Sequence, residues 1–207
     1  MDVGTGDGAY VIRLARRYAD RLVIGVDANA DPLRAASRRA AAKPARGGAA
    51  NALFGRLPFE EAPGELAGLA DAVSVLLPWG SLLRATALPE PEALVRLRAL
   101  CKPDAELHVA FGYGAAREAS AIRDLGLPAP GAPGALAALE AEYRRAGFAV
   151  RARAAPLDEI RALETTWAKK LAHSGHDRAF VSVRGRAIDA DGDGDGPEPG
   201  SAKTSKY

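Results

Sequence analysis

Short apolar runs alternate with amphipathic segments along most of the chain. The runs that predict buried strands lie at residues 22–26, 52–56, 71–77, 106–111, 148–153 and 180–186. Between them, apolar residues recur at helical spacing at 9–18, 31–42, 91–101, 135–146 and 157–173. This alternation of strands and helices is typical of a doubly wound α/β sheet. The final run, FVSVRGR, is compatible with an antiparallel closing strand.

Turn and cap residues indicate where these elements begin and end. Asp31 and Pro32 predict the start of the second helix, because Asp is a favoured cap and Pro a favoured first-turn residue. Glycine and proline concentrate at 126–134, which predicts a loop. From Asp189 onward the chain reads DADGDGDGPEPGSAKTSKY, which is polar and of low complexity. We therefore expect one domain, residues 1–188, followed by a disordered acidic and polar tail, residues 189–207.

Composition narrows the classes of protein that fit. The 207 residues are 48% hydrophobic, which is enough for one substantial core. No apolar run reaches about 18 residues and no signal peptide is visible, so we expect a cytoplasmic protein without a membrane partner. One cysteine and three scattered histidines predict neither a disulfide framework nor a metal site. The net charge is +2, but the tail carries five acids and two lysines, so residues 1–188 carry +5.

A glycine-rich turn near the start of the chain predicts a nucleotide-like ligand. Gly4, Gly6 and Gly8 alternate between a strand end and a predicted helix, and Asp27 ends the next predicted strand. The turn satisfies G-x-G-x-x-G/A with an acid roughly 20 residues on, a pattern typical of dinucleotide sites. A carboxylate at the tip of the second strand can accept hydrogen bonds from the ribose of either NAD or S-adenosylmethionine.

Asp2 favours S-adenosylmethionine over a dinucleotide. It lies two residues before the first glycine, where its carboxylate would repel a pyrophosphate. S-adenosylmethionine has no phosphate, and its ammonium and sulfonium groups are attracted to a carboxylate. NAD, and a glycine turn that binds no ligand, remain alternatives.

Two tryptophans stand in unusual contexts. Trp79 lies in LLPWGSLLR directly after a predicted strand, and Trp167 lies in ETTWAKKL. Together with DVGTGDG, AAAKPARGG and the later HDR, these stretches resemble the aminoglycoside-resistance 16S rRNA (adenine-1408-N1) methyltransferases, most closely the kanamycin–apramycin resistance type. The resemblance runs from residue 2 to about 186, and PWGSLL with ET-x-W is its most specific part.

The resemblance implies a seven-stranded Rossmann-like methyltransferase sheet, mostly parallel, with an antiparallel last strand. It implies S-adenosyl-L-methionine as cofactor, 16S rRNA in the assembled 30S subunit as partner, and rRNA methylation that gives antibiotic resistance. The cofactor residues it implies are Asp2, Gly4, Gly6, Asp27, Phe59, Glu60 and Leu77. Trp79 and Trp167 match the pair that holds the flipped adenine, and Ser81 matches a small hydroxyl residue beside cofactor and target.

We expect the protein to act as a monomer. Basic residues near these motifs are candidate phosphate contacts. They are Arg38, Arg39, Lys43, Arg46, Arg84, Lys169, Lys170 and Arg178. Adenine N1 has a free lone pair at neutral pH, so its methylation needs no general base.

Family members carry an N-terminal extension before the first strand, whereas here Met1 directly precedes Asp2. We therefore expect the extension and most of the first strand to be truncated in this chain. Three alternative functions stay open: a same-fold methyltransferase acting on another RNA or a small molecule, a catalytically inactive ribosome-binding module, and an NAD oxidoreductase. For Trp167 a core position is also open, because it continues an apolar helical stripe with Ile160 and Leu163.

Overall fold

A single mixed sheet forms the centre of the protein in the computed structural model, which describes residues 1–61, 64–114, 119–127, 132–174 and 178–188. Its strands are β1 (Asp2–Val3), β2 (Val23–Asp27), β3 (Ala52–Arg56), β4 (Ala70–Leu76), β5 (Cys101–Gly114), β6 (Phe148–Ala154) and β7 (Arg178–Ala187). They lie in the order β3-β2-β1-β4-β5-β7-β6. The first five strands in this order, β3, β2, β1, β4 and β5, are parallel to one another, and β7 is antiparallel to both β5 and β6. The predicted fold class is confirmed.

The first strand contains only two residues, yet it lies at the middle of the sheet. Asp2 and Val3 pair with β2, and Asp2 also pairs with Ser74 of β4. The backbone N–H of Ser74 donates to the carbonyl of Met1 at 2.9 Å, which extends this pairing by one residue. The β1–α1 turn is therefore held by strands on both sides.

Helices cover both faces of the sheet. They are α1 (Ala9–Arg17), α2 (Ala30–Ala40), α3 (Gly80–Ala87), α4 (Pro91–Ala99), α5 (Ala119–Leu125), α6 (Ala135–Arg145), α7 (Leu157–Ala162) and α8 (Thr166–Ser174). Side chains alternate along β5, so Val109 packs in the cluster with α3, α4 and α6, and Ala110 packs with α7 and α8. Helices α1 and α2 share the α7–α8 face, where Tyr10 of α1 joins the same cluster as Ala110.

Most predicted elements occur within three residues of their expected bounds, but the predicted helix 157–173 is wrong. The chain forms two helices there, α7 and α8, and Glu164 between them has a φ of 55°. The Thr165 hydroxyl accepts a hydrogen bond from the Ala168 backbone N–H at 2.9 Å and so caps α8. Leu163 and Trp167 are four residues apart, so the apolar spacing continues across the break and hides it.

Two smaller predictions also need correction, and two helices were missed. Helix α2 starts at Ala30 with Asn29 as its cap, because the Asn29 side chain accepts the N–H of Asp31. Strand β5 is far longer than the predicted 106–111, and it begins where a helix was expected to end. Helices α3 and α5 were not predicted. The tail 189–207 and part of the predicted loop 126–134 lie outside the described residues, so those predictions are untested.

Within the described part of the chain, no helix is both long and apolar enough to cross a membrane.

Candidate active site

A cavity of about 330 Å³ opens at the carboxyl edge of β1, β2 and β4. Open α/β sheets bind their ligands at this edge, and the volume lies within the usual range of about 300–1,000 Å³ for ligand sites. All predicted cofactor and base-holding residues line it: Asp2, Gly4, Gly6, Asp27, Phe59, Glu60, Leu77, Trp79, Ser81 and Trp167. The sequence motifs therefore converge on one site, although they are up to 165 residues apart.

The glycine turn is shaped by backbone conformations that favour glycine. Gly4 and Gly6 have φ values of 75° and 57°. A Cβ added at Gly4 would lie 2.6 Å from Leu82 Cδ2, whereas one added at Gly6 would meet nothing within 4 Å. At Gly4 the backbone strains any side chain, and Leu82 would also have to move to admit one. At Gly6 only the backbone disfavours a side chain, and the space beside it belongs to the cavity.

Asp2 places a buried carboxyl group in the wall of this cavity. Its side chain is 4% exposed, and Oδ1 accepts a hydrogen bond of 2.6 Å from the Ser74 hydroxyl. Burial raises the pKa of Asp2, and the Ser74 hydrogen bond opposes that rise. A ligand cation beside Asp2 would favour its charged form, whereas a ligand phosphate would be repelled.

Asp27 connects the end of β2 to the glycine turn. One carboxylate oxygen accepts the Gly6 backbone N–H at 2.8 Å, and the other accepts the Asn29 backbone N–H at 2.9 Å. Each oxygen keeps a further lone pair, so the carboxylate can also accept ribose hydroxyls. Asp27 thus shapes the turn and offers acceptors to a ligand at the same time.

The opposite wall of the cavity comes from the segments that follow β3 and β4. Leu57, Phe59 and Glu60 follow β3, and Leu77 follows β4 with a φ of 55°. The Leu77 backbone N–H still bonds to the carbonyl of Ala110 at 2.7 Å, so the chain turns away from the sheet directly after it. Pro78 and Trp79, which follow this turn, line the cavity.

Trp79 and Trp167 meet at the mouth of the cavity. Their ring centroids are 6.0 Å apart and their planes are inclined by 51°. Trp79 is the N-cap residue of α3, and Trp167 lies in the first turn of α8. They are 38% and 42% exposed, so the alternative that Trp167 belongs to the core is wrong. Lys170 extends its Nζ over the Trp167 ring, 5.2 Å from the centroid.

Asp7 links the glycine turn to three helices, α1, α2 and α8, a role that the sequence did not reveal. Its Oδ1 accepts the N–H of Ala9 at 3.0 Å, and its Oδ2 accepts the Thr166 hydroxyl at 2.7 Å. The Arg39 guanidinium donates to the Asp7 carbonyl oxygen. The residue before Trp167 is therefore tied directly to the turn that lines the cofactor side of the cavity.

Sequence reasoning missed other lining residues, among them Tyr10, Leu57, Leu82, Thr165 and Thr166. The pair Thr165–Thr166 before a helical segment carried a usable signal, since threonine is a favoured helix cap. Burial raises the pKa of Tyr10 to about 12, which keeps its phenol neutral at physiological pH. Among the described residues, no cluster of His, Cys, Asp and Glu could hold a metal ion.

The predicted basic residues are distributed unevenly around the site. Lys170 lines the cavity, and Lys169 beside it is exposed. Exposed side chains at the end of α2 and in the turn after it belong to Arg38, Arg39, Lys43 and Arg46. Arg178 is half-buried at the start of β7.

Arg84 lies apart from this group. It is in α3, on the opposite face of the sheet from α1 and α2, with its Nε 2.7 Å from Glu90 Oε1. Its Nη1 also donates to the carbonyl of Leu125. The structure therefore does not bring Arg84 together with the other predicted RNA contacts. Its side chain instead connects α3 to Glu90, directly before α4, and to Leu125, at the end of α5.

Comparison with known proteins places these features in one family. The family model described as "NpmA: 16S rRNA (adenine(1408)-N(1))-methyltransferase" matches residues 1–186. A 16S rRNA (adenine(1408)-N(1))-methyltransferase from Streptoalloteichus hindustanus is 38% identical over 183 residues, which cover 87% of this chain and 83% of that protein.

Solved structures agree with this result. The aminoglycoside resistance methyltransferase NpmB1 has 41% identity and a TM-score of 0.75, with 90% of this chain and 85% of that chain covered. A tryptophan-to-alanine mutant of the enzyme from Catenulisporales acidiphilia, solved with cosubstrate SAM, has 35% identity and a TM-score of 0.75; 92% of this chain and 86% of that chain are covered. The chain thus belongs to the NpmA family of S-adenosylmethionine-dependent 16S rRNA (adenine(1408)-N(1))-methyltransferases.

Proposed function

We propose that this chain methylates N1 of adenine 1408 in 16S rRNA of the assembled 30S subunit, in the cytoplasm, and so gives aminoglycoside resistance. The observation that carries the proposal is the pair of partly exposed indoles, 6.0 Å apart, at the mouth of a cavity walled by Asp2 and Asp27. A cofactor cavity explains methyl donation, and the indole pair explains how a single base is presented to it.

The residues of the cavity fit S-adenosylmethionine. Buried Asp2 suits the cationic methionine end, and Asp27 offers acceptors to the ribose. Phe59 and Leu77 provide apolar contact for the adenine ring, with Glu60 able to accept from its amino group. When bound, S-adenosylmethionine would supply an electrophilic methyl group to the N1 lone pair, and sulfur would keep the electrons of the broken C–S bond.

Trp79 and Trp167 hold the target adenine after it leaves its stack. A base stacked between two rings needs their planes about 7–8 Å apart, twice the usual contact distance of about 3.5–4.0 Å. The observed centroids are 6.0 Å apart and tilted, so at least one indole swings away as the base enters. Both rings are partly exposed, which leaves room for this rotation. Methylation at N1 leaves a positive charge on the base, and the two indole faces stabilise that charge.

The chain's own contribution to catalysis is positioning. N1 already carries a lone pair, so the transfer needs no general base. The Asp7–Thr166 hydrogen bond ties the base-holding helix to the glycine turn and thereby fixes the distance between target and methyl donor. Ser81 lines the same cavity.

The exposed basic residues at the end of α2 and on α8 hold the 30S subunit through phosphate contacts. The folded shape of the subunit supplies the specificity, because such contacts carry little sequence information.

The test is methyl transfer from labelled S-adenosylmethionine to purified 30S subunits, with 50S subunits and protein-free 16S rRNA as competing substrates. We expect transfer to 30S subunits. Trp79→Ala serves as the matched variant, with transfer reduced and S-adenosylmethionine affinity retained. Transfer only to another RNA or a small molecule, or cofactor and ribosome binding without transfer, would contradict the proposal.

A further inference from the structure

A second depression, of about 320 Å³, lies beside α1 on the face shared with α7 and α8, and its lining is almost entirely basic. It is formed by Arg13, Arg16, Arg17 and Glu164. Arg16 and Arg17 are exposed in the last turn of α1. The four side chains carry a surplus of two positive charges, and none of the described residues that line the depression is apolar. Its chemistry suits an anion.

Arg13 is only loosely satisfied by the protein itself. Its Nε lies 3.9 Å from Glu164 Oε2, too far for a hydrogen bond. Its Nε and Nη2 are buried without a hydrogen-bond partner among the described residues. These two nitrogens have no solvent access, so Arg13 contributes positive charge to the depression, while the donors open to a ligand are those of exposed Arg16 and Arg17.

This depression connects two regions already assigned to the rRNA. Glu164 is three residues before Trp167, in the break that separates α7 from α8. At the other end, a Cβ added at Gly47 would lie 3.9 Å from Arg16 Nη1, so the turn that follows Lys43 and Arg46 adjoins the α1 arginines. The depression therefore adjoins both the turn after α2 and the α7–α8 break that precedes Trp167.

We propose that Arg13, Arg16 and Arg17 form a docking surface for phosphate groups of the rRNA that flanks the target base. The inference rests on the proposed function and extends it to residues outside the predicted RNA-binding set. Guanidinium groups match phosphate geometry bidentately, so Arg16 and Arg17 can contact phosphates of one strand while Arg13 adds positive charge. These contacts hold the RNA in register while the base is out of its stack.

The test is the double variant Arg16→Gln/Arg17→Gln, with Arg144→Gln/Arg145→Gln as matched control. The arginines of both pairs are exposed and lie in the last turn of a helix, and each double variant removes two charges. Arg144 and Arg145, however, lie on α6, on the opposite face of the sheet. Affinity for 30S subunits is measured by filter binding across a KCl series with S-adenosylmethionine present. Cofactor affinity and thermal stability are measured in parallel.

We expect the α1 variant to bind 30S subunits at least about tenfold more weakly, since each charged hydrogen bond contributes at least about that factor. The slope of log affinity against log salt should fall by about 1–2, one for each phosphate contact removed. Cofactor affinity and melting temperature should not change. The α6 control should match the parent protein in every measurement.

Equal affinity and equal salt slope for parent and α1 variant would overturn the docking surface, as would an equal loss in the α6 control. Failure of the proposed function looks different. A parent protein that binds 30S subunits but leaves them unmethylated refutes the methylation, while the filter-binding comparison still decides the docking surface. A parent protein that does not bind 30S subunits overturns both.

Discussion

Replacing Trp167 by alanine removes one side of the base-holding pair and leaves the rest of the site in place. The indole is 42% exposed and packs 6.0 Å from Trp79, centroid to centroid. Removal of a fully buried tryptophan costs about 3–5 kcal/mol, and a side chain this exposed costs much less. Helix α8 also keeps its Thr165 cap, so the variant should fold and bind S-adenosylmethionine normally.

The expected loss of activity follows from the lost stacking. An aromatic side chain stacked on a base contributes about 1–3 kcal/mol, and each 1.36 kcal/mol is tenfold in rate. Trp167→Ala should therefore lower kcat/KM for 30S subunits by about 5- to 150-fold. Trp167→Phe restores a smaller ring and should recover part of the loss. The double change with Trp79→Ala should cost less than the product of the two single losses, because both rings hold the same base.

The assay is methyl transfer under single-turnover conditions with saturating S-adenosylmethionine. Its controls are calorimetric cofactor affinity and melting temperature. Full activity of Trp167→Ala refutes the stacking role. Reduced activity that is accompanied by an equal loss of cofactor affinity refutes it too, because the ring would then act through the cofactor site.

Three further outcomes test other parts of the structure. Asp27→Asn removes the charge that accepts the Gly6 N–H, so S-adenosylmethionine affinity measured by calorimetry should fall about tenfold or more, with kcat at saturation little changed; unchanged affinity would contradict this. Thr166→Val breaks the hydrogen bond to Asp7, so single-turnover methylation should slow more than cofactor affinity falls, and an unchanged rate would show that the link is dispensable. Burial, aided by a nearby arginine, lowers the pKa of His108 to about 4, so the fold should lose stability as pH falls from about 6.5 toward 4, where the unfolded chain binds more protons. The same melting series on His108→Gln should show a flatter dependence, and an equal slope would exclude this group as the cause.

The pattern of apolar residues was sufficient to predict where the strands lie, but not where one helix ends and the next begins. Strand β3 has the predicted bounds because its short apolar run begins after Asn51 and ends shortly before Pro58. The break at Glu164 was not visible, since Leu163 and Trp167 keep helical spacing while the backbone between them takes a φ of 55°. Periodicity reports which residues share a face, and it does not report the dihedral angles that separate two helices.

The site residues that belong to short sequence motifs could be predicted. Asp2 and the alternating glycines indicate a cationic donor, and the two tryptophans come together as the resemblance implied. The Asp7–Thr166 hydrogen bond joins positions 159 residues apart, and no local pattern encodes such a pairing. Roles that depend on tertiary contacts of single polar side chains therefore required the structure.

The most direct test of the proposed function is to locate the methyl group on the RNA. Purified 30S subunits are methylated by the parent protein, and the 16S rRNA is analysed by primer extension across the decoding region and by mass spectrometry of the fragment that contains nucleotide 1408. We predict a reverse-transcription stop at adenine 1408 and one added methyl group at N1, both lost with Trp79→Ala and Trp167→Ala combined. A methyl group on another nucleotide, or none on 30S subunits while S-adenosylmethionine binds, would contradict it.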